Sequence, residues 1–316
     1  MDDVPDEVRR LAAERQERRD QKDFAAADDL RNRIGALGYR VVDGSAGPTI
    51  ERIAPPERIR RRARDVPSVL DDPAIADVTV QWLVEDWPED VVRALDAFRT
   101  IAGDRTIQYV VVDLTETDPS TYGPDVEVVP LELGTGWAAG RNAGLRRSVG
   151  RLVLVVDGSI EPTGDVLGPL ESALADPSVG VAGPFGISTN DLRDFHESEG
   201  PDVDAIEGYL MAFRRDVIRD AGLFDEKFTW YRTADIELSF RLKDAGYRAV
   251  VVDVPVHRHE HRVWTSTSPS ERDRLSKRNF YRFLDRFRDR FDLLVEPGEG
   301  GSAATDANGT GIPPQR

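Results

Sequence analysis

Apolar residues follow one rhythm in the first fifty positions and another in the rest of the chain. Val8, Leu11 and Ala12, then Phe24, Ala27, Leu30, Ile34 and Leu37, recur at three- and four-residue spacing. That predicts two helices over residues 8–38, with Gly38 ending the second. Short runs at 39–42 and 49–53, around Asp43-Gly44, predict two strands. From residue 77 the apolar positions become continuous runs, as buried strands require: 78–84, 107–113, 126–130 and 152–157. An amphipathic helix at 88–98 opens with a proline. At 136–144 a glycine-rich turn opens a short helix that Gly150 ends. The order β-α-β-β-α-β predicts an α/β fold with a mostly parallel, Rossmann-like sheet. Later strands at 179–182, 207–213 and 247–252 are separated by loops and helices, which predicts a mixed sheet.

The chain accordingly divides into a helical hairpin (1–54), a charged linker (55–76), an α/β domain (77–295) and a tail (296–316) rich in Gly, Ser, Ala, Thr and Pro, expected to be disordered. Residues 58–64 are mostly arginine and read as a solvated connector, with contact to anionic lipid or RNA as the alternative. The net charge is −16, and only four of the 42 basic residues are lysine. This is the whole-surface acidity of a protein kept soluble at high salt, rather than the mark of a cationic partner. With no cysteine, disulfides, thiolate metal sites and a thiol nucleophile are excluded. Residues 1–20 hold no apolar signal core, and no run approaches the roughly 18 apolar residues of a membrane helix. A soluble, cytoplasmic protein is expected, with peripheral membrane contact left open.

Carboxylates stand where an open α/β sheet binds ligands, just outside the carboxyl ends of strands. Asp86 follows the first strand, Asp113 ends the second and Asp157 ends the fourth. Asp235 precedes a helix expected at 236–245, where it can cap free backbone donors. His257, His259 and His261 share one face if the segment is extended, which suits a metal or a phosphate; a polar surface loop is the alternative.

These motifs, in this order, resemble the family-2 glycosyltransferases over about residues 78–285. The resemblance is carried by Val110-Val-Val-Asp113, by the turn with Arg141 and Asn142, by Asp157 as the first acid of an Asp-x-Asp motif, by the segment 207–228, by Asp235, and by Arg278-Asn279 before the aromatic run 280–284. It implies a GT-A fold and transfer of a sugar from a nucleotide-diphosphate donor to a hydroxyl acceptor, with inversion. It further implies Asp235 as the base, Asp113 recognising the nucleotide, and Arg141 and Asn142 shaping the donor pocket. Asp86 stands where that pocket often has an asparagine. Asp157 meets the ribose or a divalent cation (Mg²⁺ or Mn²⁺), and His257 takes the place of a metal-contacting histidine. Three departures stand against this. Ser159 replaces the second acid of the motif, Ala234 replaces the acid before Asp235, and Leu114-Thr115 replaces Gly-Ser. A non-catalytic GT-A-like protein that binds a nucleotide or a partner is the alternative.

The first segment resembles the C-terminal helical hairpin of cysteinyl-tRNA synthetases, through Glu14-Arg15-Gln16, Lys22–Asp28, Arg31, Leu37-Gly38 and Gly47-Pro48-Thr49. That resemblance implies a tRNA contact through residues 1–65. Their nearly balanced charge suits a small packing or dimerisation module better, because phosphate binding needs clustered cations.

Overall fold

The computed structural model describes residues 4–36, 39–44, 47–52 and 60–296. Leu37, Gly38, the start of the expected linker and the tail 297–316 lie outside the described residues. The chain forms two compact units, Met1–Ile59 and Arg60–Arg316.

In the first unit, α1 (Asp6–Asp20) and α2 (Phe24–Ala36) pack through Val8, Leu11, Ala12, Leu30 and Ile34. Strands β1 (Tyr39–Gly44) and β2 (Gly47–Arg52) pair antiparallel and add Tyr39, Val41 and Ile50 to that core. Asp23 caps α2, its carboxylate accepting from the Ala26 N–H at 3.2 Å. Phe24, expected on the buried stripe, is instead 62% exposed. As the first helical residue, it falls at the end of the hairpin rather than between the helices.

In the second unit the chain runs β3 (Ala76–Val84), α3 (Pro88–Thr100), β4 (Ile107–Asp113), β5 (Val126–Pro130), α4 (Trp137–Arg147), β6 (Gly150–Val156), β7 (Ile160–Pro162), α5 (Leu167–Leu174) and β8 (Val179–Gly183). It continues through β9 (Gly186–Ser188), β10 (His196–Ser198), β11 (Asp202–Val203), β12 (Ala205–Ile206), β13 (Leu210–Arg214), α6 (Arg215–Ala221), α7 (Ala234–Asp244), β14 (Arg248–Val251), β15 (Val256–Arg258), α8 (Arg262–Ser266) and α9 (Pro269–Phe287). The main sheet has eight strands in the order β11-β14-β8-β13-β6-β3-β4-β5. Strands β6, β3, β4 and β5 are parallel, whereas β13 runs antiparallel to both β6 and β8, so the sheet is mixed.

Both faces of the sheet are buried, which is why its strands read as continuous apolar runs. Val110, Val112, Val153 and Val155 face α4, α6 and α7. Val80, Trp82, Val111 and Leu154 face α3 and α5. Helix α9 lies outside α7, packing Phe283 and Phe287 on Phe240.

Residues 60–76, expected as part of a solvated linker, are instead packed on this unit. Ala63, Val66 and Leu70 are buried. Arg61 pairs as an isolated parallel bridge with Leu131, next to β5. Arginines meet backbone carbonyls here: Arg60 donates to Leu131 and Arg146 to Ala63, each at 2.9 Å, and Arg215 donates to Ser148, Asp72 and Val69.

The glycine-rich stretch is also more than a turn. It forms α4 itself, with Gly140 against Leu83 and Gly144 against Gln81 and Val112. Any Cβ at these positions would hold the helix away from the sheet.

Candidate functional site

The strand order reverses between β6 and β3: β3 leads through α3 to β4 on one side, and β5 returns through α4 to β6 on the other. A crevice opens at such a point, outside the carboxyl ends of the strands. Because β13 is antiparallel to β6, with Leu210 opposite Val156, the residues preceding β13 reach the same end of the sheet. Asp157 and Glu207-Gly208-Tyr209 are thereby brought together, and the Asp157 N–H donates to the Tyr209 carbonyl at 2.9 Å.

Asp157 lies one residue beyond β6. Its Oδ1 accepts from the Ser159 N–H at 2.9 Å and the Ser159 hydroxyl at 2.6 Å, and its Oδ2 is 3.5 Å from His261 Nε2. Burial opposes its charge, yet His261, Ser159 and Arg141 together hold Asp157 below the usual carboxylate range. Arg141, 1% exposed, donates to the Val156 carbonyl at 3.0 Å. Burial lowers its pKa to about 10, so it stays charged. Beside it, burial pushes Glu85 up to about 7, with the pull of Arg141 opposing the rise. Glu85, Asp86, Trp87, Arg141, Asp157, Ser159 and His261 line one small cleft.

A second cavity, of about 140 Å³, adjoins it and shares Trp137, Asp157 and His261. Its other walls include Glu207, Tyr209, Tyr231, Arg232 and Asp235. Asp235, in the first turn of α7, accepts from the Gly208 N–H at 2.7 Å and the Ile236 N–H at 2.9 Å. The Gly208 N–H thus serves the carboxylate, and β13 begins only at Leu210 instead of at the expected 207. Burial raises the Asp235 pKa, partly offset by those two N–H groups. For Glu207, burial and then the charge of Asp235 push the value up to about 7. Trp87 (φ 50°) and Thr233 (φ 74°), immediately before α3 and α7, hold left-handed backbone. Strain of this kind collects where a site fixes its geometry.

A larger cavity, of about 720 Å³, meets the second one at Glu207, and another lies elsewhere. The latter, of about 580 Å³ at the other end of the sheet, is walled by Leu152, Leu174, Arg214 and Arg215. Those two arginines are consumed by backbone carbonyls, so the chemistry points to the smaller pair of clefts.

The expected residues divide into three groups. Asp86, Arg141, Asp157 and Asp235 are gathered at the clefts. Asp113 and Asn142 are buried supports. Asp113 Oδ1 accepts from the Thr115 N–H and hydroxyl at 2.6 and 2.7 Å, and the Asn142 amide binds both backbone groups of Phe224. His257 does not line either cleft. It is exposed on β15 opposite Glu161, and its ring packs 4.4 Å from that of His259, which pairs with Glu161 at 2.6 Å. The imidazole beside Asp157 belongs to His261. The one-face arrangement ends there because His261 caps α8, its Nδ1 accepting from the Trp264 N–H at 3.3 Å. Among the described residues no group of three His, Cys, Asp or Glu is placed to hold a metal ion by itself, and no helix is long and apolar enough to cross a membrane.

Residues 104–226 match the model of glycosyl transferase family 2. The fold superimposes on the crystal structure of GalNAc-T7 with UDP, GalNAc and Mn²⁺ at a TM-score of 0.52 and 14% identity, covering 72% of this chain and 52% of that one. A mannosyltransferase from Pyrobaculum calidifontis in complex with GDP-Man and Mn²⁺ gives a TM-score of 0.45 and 23% identity, over 63% of this chain and 62% of that one. The N-terminal segment is 45% identical over 51 residues to the cysteine–tRNA ligase of Methanosarcina mazei, and 35% identical over 51 residues to that of Chlamydia caviae. Each alignment covers 16% of this chain and 11% of the ligase. The chain therefore spans about half of GalNAc-T7 and about a tenth of each ligase. Its second unit has the GT-A fold and resembles the family-2 glycosyltransferases, and its first resembles a small piece of cysteinyl-tRNA synthetases.

Proposed function

We propose that the protein transfers a sugar from a nucleotide-diphosphate donor to a hydroxyl group of an acceptor, inverting the anomeric carbon, with Asp235 as the base. The observation that carries this reading is the Asp235 carboxylate, fixed by the Gly208 and Ile236 N–H groups in a cavity whose wall also contains Asp157 and His261. As the acceptor oxygen attacks the anomeric carbon, its proton passes to Asp235, and the nucleoside diphosphate leaves on the opposite side. A base partly withdrawn from water has a pKa nearer the working pH, which strengthens it as a proton acceptor. Trp137, Tyr209 and Tyr231 give the cavity apolar walls suited to a sugar face.

GalNAc-T7 was crystallised with UDP, GalNAc and Mn²⁺; we extend only the class, a nucleotide sugar with a divalent cation, to this chain. Asp157 would be this chain's ligand to such a cation, whose remaining ligands would be donor phosphates and water, while His261, its Nδ1 accepting from the Trp264 N–H, presents Nε2 to Asp157 Oδ2 at 3.5 Å and steadies that carboxylate. When bound, the cation would offset the charge that builds on the leaving diphosphate. Asp113, whose Oδ1 accepts from Thr115, and Asn142, bound to Phe224, brace the donor cleft.

The test is Asp235→Asn, which keeps an oxygen acceptor for Gly208 but cannot take a proton at neutral pH. Transfer should fall by about 10²–10⁴-fold with the thermal midpoint little changed. Undiminished transfer by this variant would remove Asp235 as the base. If the native protein neither transfers nor hydrolyses any of a panel of UDP-, GDP- and dTDP-sugars, the non-catalytic alternative replaces this reading.

A further inference from the structure

Arg232 faces the Asp235 cavity with no ion pair or hydrogen bond to its guanidinium among the described residues. Other arginines around the clefts are engaged: Arg262 by Glu89 at 2.6 Å and Asp90 at 3.3 Å, and Arg93 by Asp90 at 2.9 Å. What holds Arg232 is the Trp264 ring, whose centre lies 4.9 Å from its guanidinium carbon. Arg272 approaches the same ring at 4.4 Å. Two cations on one indole repel each other, an arrangement that an anion nearby would relieve.

Trp264 has a second connection. Its backbone N–H donates to His261 Nδ1 at 3.3 Å, and His261 touches Asp157. One residue therefore ties a free guanidinium on the Asp235 side to the imidazole on the Asp157 side. Beyond the shared wall of Trp137, Asp157 and His261, Arg141 also has unused capacity. It is 1% exposed, and its Nε is buried without a hydrogen-bond partner. Two guanidiniums with spare donors thus line adjoining cavities, in a cleft where Ser159 supplies no second acid for a cation.

We infer that Arg232, presented by Trp264, binds a phosphate of the donor's diphosphate from the Asp235 side, with Arg141 meeting it from the other. Guanidinium N–H groups match phosphate oxygens in pairs, and such charge-assisted bonds are the strong ones. Arg232 is a binding residue, whereas Trp264 is a positioning residue that acts through it. The inference rests on the nucleotide-sugar reading above.

Inorganic pyrophosphate tests it, because it carries the diphosphate without committing to a base. Full-length protein and the variants Arg232→Gln, Arg232→Lys, Trp264→Ala and Trp264→Phe are titrated calorimetrically with pyrophosphate and with UDP, GDP and dTDP, in EDTA and in Mn²⁺. Arg232→Gln should weaken pyrophosphate about tenfold or more, with Arg232→Lys intermediate. Trp264→Ala should weaken it several-fold and Trp264→Phe restore most of the loss, a rescue that a general loss of folding would not give. The Arg232 side chain is exposed, so Arg232→Gln should keep the native thermal midpoint. Pyrophosphate binding to Arg232→Gln as tight as to the native protein overturns the inference while leaving the reading intact. So does a change confined to the KM for acceptor, which would place Arg232 against the acceptor instead. Native protein that binds neither pyrophosphate nor any of the nucleotides overturns both.

Discussion

The Asn142 side chain accepts from the Phe224 N–H at 2.9 Å and donates to the Phe224 carbonyl at 2.9 Å and to Glu226 at 3.1 Å. It stitches α4 to the loop after α6 at a point with no access for water. Asn142→Ala would strand a buried N–H and a buried carbonyl, so stability should drop by about 2–4 kcal/mol. Chemical denaturation would show this as a lower midpoint at unchanged slope; an unmoved midpoint would mean that the loop finds other partners. Glu207 makes a different residue-scale prediction. Its pKa is about 7 in the fold, raised first by burial and then by Asp235, while unfolded it returns to the ordinary value of about 4.3. Between those values the folded state keeps a proton that the unfolded state has lost. Its contribution therefore falls as pH rises through that window, and is fully lost above about 7. Glu207→Gln should flatten the stability profile between about pH 4 and 7 relative to the native protein. Parallel profiles would show that Glu207 does not hold its proton.

At the scale of elements, α4 illustrates what the sequence discloses and what it conceals. Alanine favours a helix over glycine by about 1 kcal/mol, so propensity alone predicts that Gly144→Ala stabilises. The added Cβ would stand 2.3 Å from Gln81 Oε1 and 3.1 Å from Val112 Cγ2, both in the sheet beneath. Gln81 is itself buried and has little room to yield. Overpacking of this kind loses about 1–3 kcal/mol, so the net effect should be a lower thermal midpoint; a rise would mean that the helix can lift off the sheet. The parallel strands were legible because burial on both faces writes them as unbroken apolar runs. Asp157 and Asp235 were legible because a strand end and a helix start mark themselves locally. Glu85, Glu207 and Arg232 were not, although Asp86, the segment 207–228 and Asp235 stand beside them, because no local pattern shows which neighbouring side chain enters the cleft. Glu207 arrives only through the antiparallel direction of β13. The two-residue alternation that singled out His257 fails at His261, where the chain leaves the extended form to open α8, and that is a tertiary event. Packing of residues 60–76 was hidden for the converse reason: the buried Ala63, Val66 and Leu70 stand singly among mostly exposed, polar residues, and Arg60, which reads as solvated, spends its donors on the Leu131 and Thr115 carbonyls.

Over the whole molecule, charge is the property the fold leaves unresolved. The chain carries a net −16, and its acids are not confined to the cleft. Many do form ion pairs, such as Arg105 with Glu171 and Arg248 with Asp176 and Asp202. Exposed pairs of this kind contribute about 0–1 kcal/mol each and weaken with salt. The opposing term is the self-repulsion of the unpaired excess, which compactness concentrates and salt relieves. Screening shortens from about 10 Å at 0.1 M to about 3 Å at 1 M, so distant like charges are silenced first and close pairs last. Repulsion summed over a surface acts at long range, whereas an ion pair acts at contact. The balance therefore favours the folded state as salt is added. The thermal midpoint should rise between 0.1 and 1 M KCl, with most of the gain in the lower part of that range. The same titration at pH 4, where many carboxylates are protonated, should give a smaller rise. A midpoint that falls with KCl at neutral pH would show that the ion pairs outweigh the excess charge. A rise of equal size at both pH values would assign the effect to salt exclusion from the surface rather than to charge.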